Sequence, residues 1–348
     1  MTTVDTTIDA PPEAQAVQQL FQIATGFMAS AALQTALKLQ IPNRVAAGTR
    51  AVDELARDVG VDEDALYRLM RALASVGIFD ERQPRTFDLT IAGRMLQKGQ
   101  PGFYDMGLWI TSPFHFRVYA EMMHAVATGA PAAERVAGMP VFEYLARPEN
   151  KELSEIFNNA MTGFSGDVAP AALDAYDFAG IDVLVDVAGG HGKVLTSILQ
   201  HYPHMRGILF DVPHVIAGAA PLIDAAGVAD RCATVGGDFF QEVPEGTAYI
   251  MKHIIHDWDD ARARTILQNI RAKLQGKKNG RVLLLEAVLQ AGNAPDLGKL
   301  IDLEMLMMPG GRERSELEFR ALFTSAGFEL TRVVPTRSSL SIIEARVA

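Results

Sequence analysis

The first feature that could carry chemistry is a glycine-rich turn after an apolar run that contains an acid. Residues 183–192 read Val-Leu-Val-Asp-Val-Ala-Gly-Gly-His-Gly, and apolar residues at helical spacing follow from Val194 to Leu199. This pattern predicts a strand, a tight turn and a helix, the first unit of an open α/β sheet that binds a nucleotide-like ligand at the strand's carboxyl end. Glycine suits such a turn because it tolerates positive φ and lets the backbone approach a ligand closely.

The spacing of this turn does not match the two common phosphate-binding motifs. A dinucleotide fingerprint counted from Gly190 would need a glycine where Leu195 stands, and a P-loop would need Ser or Thr at Val194. What remains is an acid, Asp186, near the end of one predicted strand and a second acid, Asp211, at the end of the next. Carboxylates accept hydrogen bonds from an amino group and from a ribose diol. S-adenosylmethionine carries both groups and no phosphate, so it is the predicted cofactor.

Six ordered blocks of sequence resemble the small-molecule O-methyltransferases of the plant caffeate and acetylserotonin type and their bacterial polyketide-tailoring relatives. The blocks are residues 184–192, 210–215, 237–240, 251–258, 285–286 and 310–315, and weaker similarity reaches back to about residue 15. The resemblance implies an α/β fold, a Rossmann-like class I methyltransferase sheet, with an N-terminal helical winged-helix dimerisation domain. One departure is Ala188, where the family usually has glycine; its methyl group is expected to be tolerated if φ is negative there.

The resemblance also implies how the donor is held. Asp211 is expected to hold the ribose hydroxyls, Asp238 and Phe239 the adenine, and Lys252 is expected near the adenosyl end. The full set of predicted donor-binding residues is Asp186, Gly189, Gly190, Asp211, Asp238, Phe239 and Lys252. No metal is implied, since no His, Asp and Glu set has ligand spacing, and the expected product is S-adenosylhomocysteine.

His256 is the predicted general base. It follows the apolar run 249–255, at the rim where such sheets place their sites, and it matches the family's base in His-Asp-Trp. A phenol has a pKa of roughly 10 and an imidazole roughly 6.5, so a positioned histidine can take the phenolic proton as the new bond forms. Glu286 and Glu313 match the two acids that bracket this base and would fix its tautomer and stabilise the imidazolium. Asp257 is a candidate cap for the following helix.

The acceptor-binding residues are predicted on two segments. The first is a stripe close to helical spacing in a segment that resembles the family's acceptor-lining helix, and the second lies before Pro309-Gly-Gly. These residues are Leu153, Phe157, Met161, Phe164, Met305 and Met308. Methionine is apolar and adaptable, so the expected acceptor is a flat aromatic small molecule such as a flavonoid, a polyketide-like ring or a simple phenol.

Residues 51–97 carry the pattern of a winged helix. A short helix ends at Gly60, Asp62 caps a second helix, and two short strands follow around a polar turn. Residues 50–82 hold five arginines against eight acids, a net charge of −3, and the second helix opens with Asp62, Glu63 and Asp64. Three acids would face a phosphate-lined groove, so this module is predicted not to bind DNA.

Composition limits the partners and the compartment that can be expected for the protein. The net charge of −10 argues against nucleic acid partners, and the single cysteine, Cys232, fits a reducing compartment, which predicts a cytoplasmic protein. Residues 14–37 are uncharged, but their five glutamines argue against a membrane span, so a helix buried against a second subunit is expected. The predicted order is a disordered tail (1–12), a winged-helix dimerisation domain (13–102), a helical acceptor-lining segment (103–170) and a catalytic domain (171–348).

Two other functions stay open at this point. The same fold and cofactor serve non-methylating polyketide tailoring, by decarboxylation or hydroxylation, in some relatives; an intact His256 with both glutamates favours methyl transfer. A winged-helix regulator that binds a small ligand is the second alternative, and the acidic second helix opposes it.

Overall fold

A computed structural model of the chain describes residues 11–348, apart from the side chains of residues 164–167. By its contacts the chain divides after Pro113 into two compact units. Residues 1–10 of the predicted tail lie outside the described part, and the first helix begins at Pro12.

The first unit is helical with a two-stranded wing. Its elements are α1 (Pro12–Lys38), α2 (Ile41–Ala46), α3 (Val52–Val59), α4 (Glu63–Ser75), β1 (Phe79–Gln83), β2 (Thr86–Leu89), α5 (Ile91–Arg94) and α6 (Tyr104–Ile110). Asp62 caps α4 as predicted, because its Oδ1 accepts the Ala65 N–H at 2.8 Å. β1 and β2 pair antiparallel, so the helices and strands of the predicted winged helix are confirmed.

Helix α1 exposes much of its apolar surface in the single chain. The exposed side chains include Val17, Leu20, Phe21, Ile23, Phe27 and Met28. Among the described residues, α1 is the helix long and apolar enough to cross a membrane by length and composition, and 17% of its most apolar window is buried. Within the described residues, most of this helix is therefore left exposed.

The second unit opens with five helices and then alternates strands with helices. Its elements are α7 (Pro113–Ala120), α8 (Met122–Thr128), α9 (Ala132–Ala137), α10 (Val141–Leu145), α11 (Lys151–Ala175), β3 (Val183–Val187), α12 (Lys193–His201), β4 (Arg206–Asp211), α13 (Pro213–Ile216), α14 (Ala220–Ala225), β5 (Cys232–Gly236), β6 (Ala248–Lys252), α15 (Asp260–Leu274), β7 (Arg281–Glu286), α16 (Leu297–Met307), α17 (Glu316–Ser325), β8 (Phe328–Pro335) and β9 (Ser341–Val347). Short 3₁₀ turns lie at Pro148–Asn150 and Ile255–Asp257.

A seven-stranded sheet organises this unit, in the order β5-β4-β3-β6-β7-β9-β8. The first five strands of that order are parallel, and β9 pairs antiparallel with both β7 and β8. Both faces are buried: in β7, Leu283 and Leu285 pack into one apolar core and Val282 and Leu284 into the other. Parallel pairing brings the carboxyl ends of β3 to β7 to one edge, where the predicted site residues lie.

Candidate functional site

The turn after β3 has the backbone geometry of a close-approach loop. A Cβ on Gly189 would lie 2.5 Å from the Asp186 carboxyl carbon, so only glycine fits there. Gly190 has a φ of +60° and donates its N–H to Oδ2 of Asp211 at 2.8 Å. Ala188 has a φ of +54°, which does not meet the negative φ on which tolerance of its methyl group depended. The chain therefore holds an alanine in the left-handed region that glycine normally occupies.

Two acids lie beside this turn in different electrostatic settings. Asp186 is 2% exposed, and burial raises its pKa to about 7, against the nearby charge of Lys252. Its Oδ2 has no hydrogen-bond partner among the described residues. Burial also raises the pKa of Asp211, although the backbone N–H groups of Gly190 and Val212 donate to its two oxygens. A buried carboxylate oxygen without a donor is costly, which fits a site built for a ligand with N–H or O–H groups.

Asp238 and Phe239 follow β5, at the next strand end along the edge. Oδ1 of Asp238 accepts the Phe240 N–H at 2.8 Å, which shapes the loop. The Phe239 ring packs edge-to-face against Trp258, with centroids 5.9 Å apart. Beside them is a cavity of about 360 Å³ whose lining is mainly aromatic and apolar: Pro140, Val141, Phe142, Glu143, Phe240, Trp258, Arg262 and Pro309. A flat heterocycle could stack against such walls.

The predicted base and its two acids meet at one point. Nδ1 of His256 lies 2.6 Å from Oε1 of Glu313 and 3.7 Å from Oε2 of Glu286. All three residues are buried, with exposures of 5%, 2% and 0% for His256, Glu313 and Glu286. Nε2 of His256 lies 3.5 Å from Oδ1 of Asp257. With an N–H at Nδ1 directed to Glu313, the lone pair of the imidazole is at Nε2.

Glu286 orients the turn that carries the base. Its Oε1 accepts the backbone N–H groups of Ile254 at 3.0 Å, Ile255 at 2.9 Å and His256 at 3.4 Å. Glu286 ends β7, the strand next to β6, so the sheet itself places this carboxylate under the turn. Burial raises its pKa, against the nearby imidazole of His256.

The segment around Gly311 closes over the same turn. A Cβ on Gly311 would lie 1.9 Å from the His256 carbonyl oxygen, and the Arg312 N–H donates to that oxygen at 2.7 Å. Burial, together with Asp302, raises the pKa of Glu313 to about 8. Burial thus favours the protonated form of Glu313, and its ionised form is the one that would stabilise an imidazolium at His256.

Lys252, at the end of β6, is a partly buried cation with three acids near it. Burial lowers the pKa of Lys252, while Glu286, Asp186 and Asp257 oppose that shift. Burial raises the pKa of Asp257 to about 7. The helix cap lies two residues later than predicted: Asp259 accepts the N–H groups at the start of α15, so Asp257 is left to face the base.

His253 lies against the base, with its ring centroid 4.4 Å from that of His256. Its φ is +54°, and burial, with His256 and Lys252, lowers its pKa well below the usual range, so it is neutral. Donor atoms of His253, His256 and Glu313 lie within 4.8 Å of one another, a group that could hold a metal ion and that sequence spacing did not reveal. The 2.6 Å hydrogen bond between His256 and Glu313 accounts for much of this closeness. A metal-free reaction stays a prediction.

The predicted acceptor residues lie on α11 and near the end of α16. Leu153, Phe157 and Met161 are half-buried, and the Phe157 ring lies 6.3 Å from that of Phe142. The side chain of Phe164 lies outside the described part. Met305 and Met308 are buried, at 8% and 4% exposure.

Sequence reasoning missed a partly buried cluster that also involves α16. Glu304 binds Nε2 of His115 at 2.9 Å and the Tyr119 hydroxyl at 2.6 Å. Its pKa is lowered by the hydrogen bonds from these two groups, which outweigh burial. The histidine and glutamate are 189 positions apart, so spacing offered no signal.

A parallel sheet with an acid-lined glycine turn, and a buried histidine between two carboxylates, defines the class of S-adenosylmethionine-dependent methyltransferases. Comparison with known proteins makes the assignment more particular. Residues 119–329 match the O-methyltransferase domain family, and residues 21–99 match the O-methyltransferase dimerisation domain. The chain belongs to this family of S-adenosylmethionine-dependent O-methyltransferases.

Similar proteins act on several small molecules. The phenazine O-methyltransferase PhzM of Lysobacter antibioticus is 41% identical over 94% of this chain and 95% of its own length. An 8-amino-8-demethylriboflavin N,N-dimethyltransferase of Streptomyces davaonensis is 32% identical over 96% of each chain. The family therefore includes N-methylating relatives as well as O-methylating ones.

Solved structures agree with the fold. The crystal structure of LaPhzM has a TM-score of 0.90 and 40% identity, covering 96% of this chain and 99% of that one. NcsB1 of neocarzinostatin biosynthesis, solved with S-adenosyl-L-homocysteine and 1,4-dihydroxy-2-naphthoic acid, has a TM-score of 0.77 and 29% identity, over 92% and 96% of the two chains.

Proposed function

We propose that the protein methylates a phenolic hydroxyl of an aromatic small molecule, with His256 as general base. The observation that carries this proposal is the 2.6 Å hydrogen bond between Nδ1 of His256 and Oε1 of Glu313. In the tautomer with its N–H at Nδ1, Nε2 is left to accept a proton. When bound, S-adenosylmethionine supplies an activated methyl group, so the protein has to align the acceptor and remove its proton.

The donor is proposed to lie along the carboxyl edge of β3 to β6. Asp211 would receive the ribose hydroxyls, Gly189 and Gly190 would lie against the methionine portion, and Asp238 and Phe239 would contact the adenine. The unpartnered Oδ2 of Asp186 supports this placement, since a ligand with N–H or O–H groups could satisfy it. A Cβ added at Gly190 would meet no heavy atom within 4 Å, so there is open space beside that backbone. Lys252 lies at the end of β6 and completes the predicted set.

The acids around His256 are proposed to orient it towards a phenolic hydroxyl. As Nε2 takes the phenolic proton, the second proton on the ring would be directed to Glu313, whose ionised form would stabilise the imidazolium. Glu286 holds three backbone N–H groups of the same turn, which fixes the backbone from which the ring extends. Leu153, Phe157, Met161, Met305 and Met308 would present an apolar surface to a flat ring.

The acceptor class is supported by the relatives' own substrates. PhzM is a phenazine methyltransferase, and NcsB1 was solved with a dihydroxynaphthoic acid, so both act on or bind fused aromatic rings. Screening phenols, hydroxylated fused rings and aromatic amines with labelled donor would separate O-methylation from the N-methylation of other relatives. A chelator should leave the activity intact; loss of activity that magnesium restores would contradict the metal-free reaction.

Two chains are proposed to pair through the unit that contains residues 13–102. The exposed apolar side chains of α1 and the match to a dimerisation domain support a homodimer. Residues 103–170 are proposed to line the acceptor site and residues 171–348 to form the catalytic domain. Light scattering of the purified protein would test the dimer, and Phe21→Glu, a change on the exposed face of α1, should shift it towards monomer. The cytoplasmic location stays a prediction.

The base is tested by His256→Gln, which keeps much of the side chain's size but cannot accept the proton as a base. We expect the methylation rate to fall by roughly 10² to 10⁴, with S-adenosylhomocysteine affinity near that of the unchanged protein. Raising the pH, or using a more acidic phenol, should recover part of the rate because the phenolate then forms in solution. The exposed His201→Gln serves as a control. Near-normal methylation of an ordinary phenol at neutral pH by His256→Gln would overturn the assignment.

A further inference from the structure

Arg314 is a buried cation beside the proposed base that the proposed function leaves without a role. Its side chain is 1% exposed, and it is among the largest fully buried side chains of the described residues. Its own backbone is held by the segment that follows β7, because its carbonyl accepts the Leu289 N–H at 3.0 Å. Burying a guanidinium is costly unless its N–H donors are satisfied. The groups that accept these hydrogen bonds therefore indicate which segment Arg314 stabilises.

Those groups flank His256 along the chain. Nη1 of Arg314 donates to the Ile255 carbonyl at 3.1 Å, and Nη2 donates to the Trp258 carbonyl at 2.9 Å. Nε and Nη2 both donate to Oδ1 of Asp260, at 3.1 and 2.8 Å. One planar fork therefore bridges the carbonyl before the base, the carbonyl two residues after it and the first turn of α15.

The turn is thus held from two sides by groups of opposite charge. Glu286 accepts the N–H groups of Ile254, Ile255 and His256 from the end of β7. Arg314 takes the carbonyls on the other side, and its neighbour Glu313 binds Nδ1 of His256. Because Glu313 and Arg314 are adjacent in the chain, a shift of the turn relative to Arg314 would also change the distance from Glu313 to the ring.

We propose that Arg314 is a positioning residue that fixes the His256 turn against Glu313, an inference that rests on the proposed role of His256 as base. A lysine is charged and nearly as long, but its ammonium cannot hold two separated carbonyls and a carboxylate in one plane. The base would then sample positions from which Nε2 does not face the acceptor hydroxyl. Small misplacements of this kind cost up to roughly 10²-fold in rate.

The test compares Arg314→Lys with Arg320→Lys, an exposed arginine of α17 paired with Glu316. We expect Arg314→Lys to lower kcat by about 10- to 100-fold on an ordinary phenol. The affinity for S-adenosylhomocysteine should stay within about twofold of that of the unchanged protein. The loss in kcat should be smaller on an acidic phenol, which needs the base less. Arg320→Lys should match the unchanged protein. A kcat within twofold of normal for Arg314→Lys, or an equal loss on both phenols, would overturn the inference.

A double-mutant cycle separates this inference from the proposed function. If Arg314 acts through His256, adding Arg314→Lys to His256→Gln should lower kcat by less than about a further threefold. A loss in kcat as large as Arg314→Lys causes by itself would refute the coupling. A near-normal rate for His256→Gln alone would instead refute the base itself. Should Arg314→Lys not fold, Asp260→Asn keeps the arginine and removes its half-exposed charge partner. That variant should show a smaller loss with the same preference for acidic phenols, and normal kinetics would count against the proposal.

Discussion

Replacing Ala188 by glycine should stabilise the protein, and the expected size follows from one backbone angle. Ala188 has a φ of +54°, where an L-residue with a Cβ is about 1–2 kcal/mol less stable than in the right-handed region. Glycine removes this cost but adds about 0.4–1 kcal/mol of conformational entropy to the unfolded chain. The backbone has little freedom to relax, since the Ala188 N–H donates to the Phe210 carbonyl at 2.7 Å. The net expectation is a gain of about 1 kcal/mol.

Thermal unfolding with and without S-adenosylhomocysteine is the measurement. For a unit spanning Phe114–Ala348, a gain of about 1 kcal/mol raises Tm by about 2–4 °C. The matched control is Ala272→Gly on the exposed face of α15, where the same change should cost about 1 kcal/mol because φ is helical. If Ala188→Gly lowers Tm as much as Ala272→Gly does, positive φ at residue 188 carries no cost and the reasoning is refuted.

Three further outcomes are expected. Asp211→Ala should weaken S-adenosylhomocysteine binding about tenfold or more in calorimetry, since it removes a charge-assisted hydrogen bond worth about 1.5–3 kcal/mol; unchanged affinity would remove Asp211 from the donor site. Gly311→Ala should lower both Tm and the methylation rate, because its Cβ would lie 1.9 Å from the His256 carbonyl oxygen; normal values of both would contradict that contact. Between pH 6.5 and 8 the free protein should lose stability as the pH rises. Burial raises the pKa of Asp186 to about 7 and of Glu313 to about 8, so the folded chain binds more protons than the unfolded one in this window. Glu313→Gln should flatten part of that slope in thermal unfolding, and a slope that is flat or rising in the unchanged protein would refute the assignment of raised pKa values.

The local elements and their caps could be predicted from the sequence because they depend on near neighbours. The apolar runs that became β3 and β6, the cap at Asp62 and the glycine turn at 189–190 are each determined within a few residues. Parallel strands then place their carboxyl ends together, so the edge that carries Asp211 followed from topology alone. The cap of α15 was misplaced from Asp259 to Asp257 because two acids so close together give the same local signal.

Resemblance to a family indicated that His256, Glu286 and Glu313 belong together, but residue spacing could not. The histidine and Glu313 are 57 positions apart, and the 2.6 Å distance between them depends on the loop after α16 folding back over the turn. That fold-back requires a glycine at 311 for a reason visible only when the His256 carbonyl is in place.

What the sequence by itself determined is therefore the sheet, its ligand-binding edge and the types of group that line it, because periodicity and turn chemistry are local properties. The tertiary structure alone decided the sign of φ at Ala188, the raised pKa values of the buried carboxylates and the burial of Arg314. Each of these depends on burial and on contacts between segments distant in the chain. Desolvation and long-range hydrogen bonding leave no periodic trace in the order of residues.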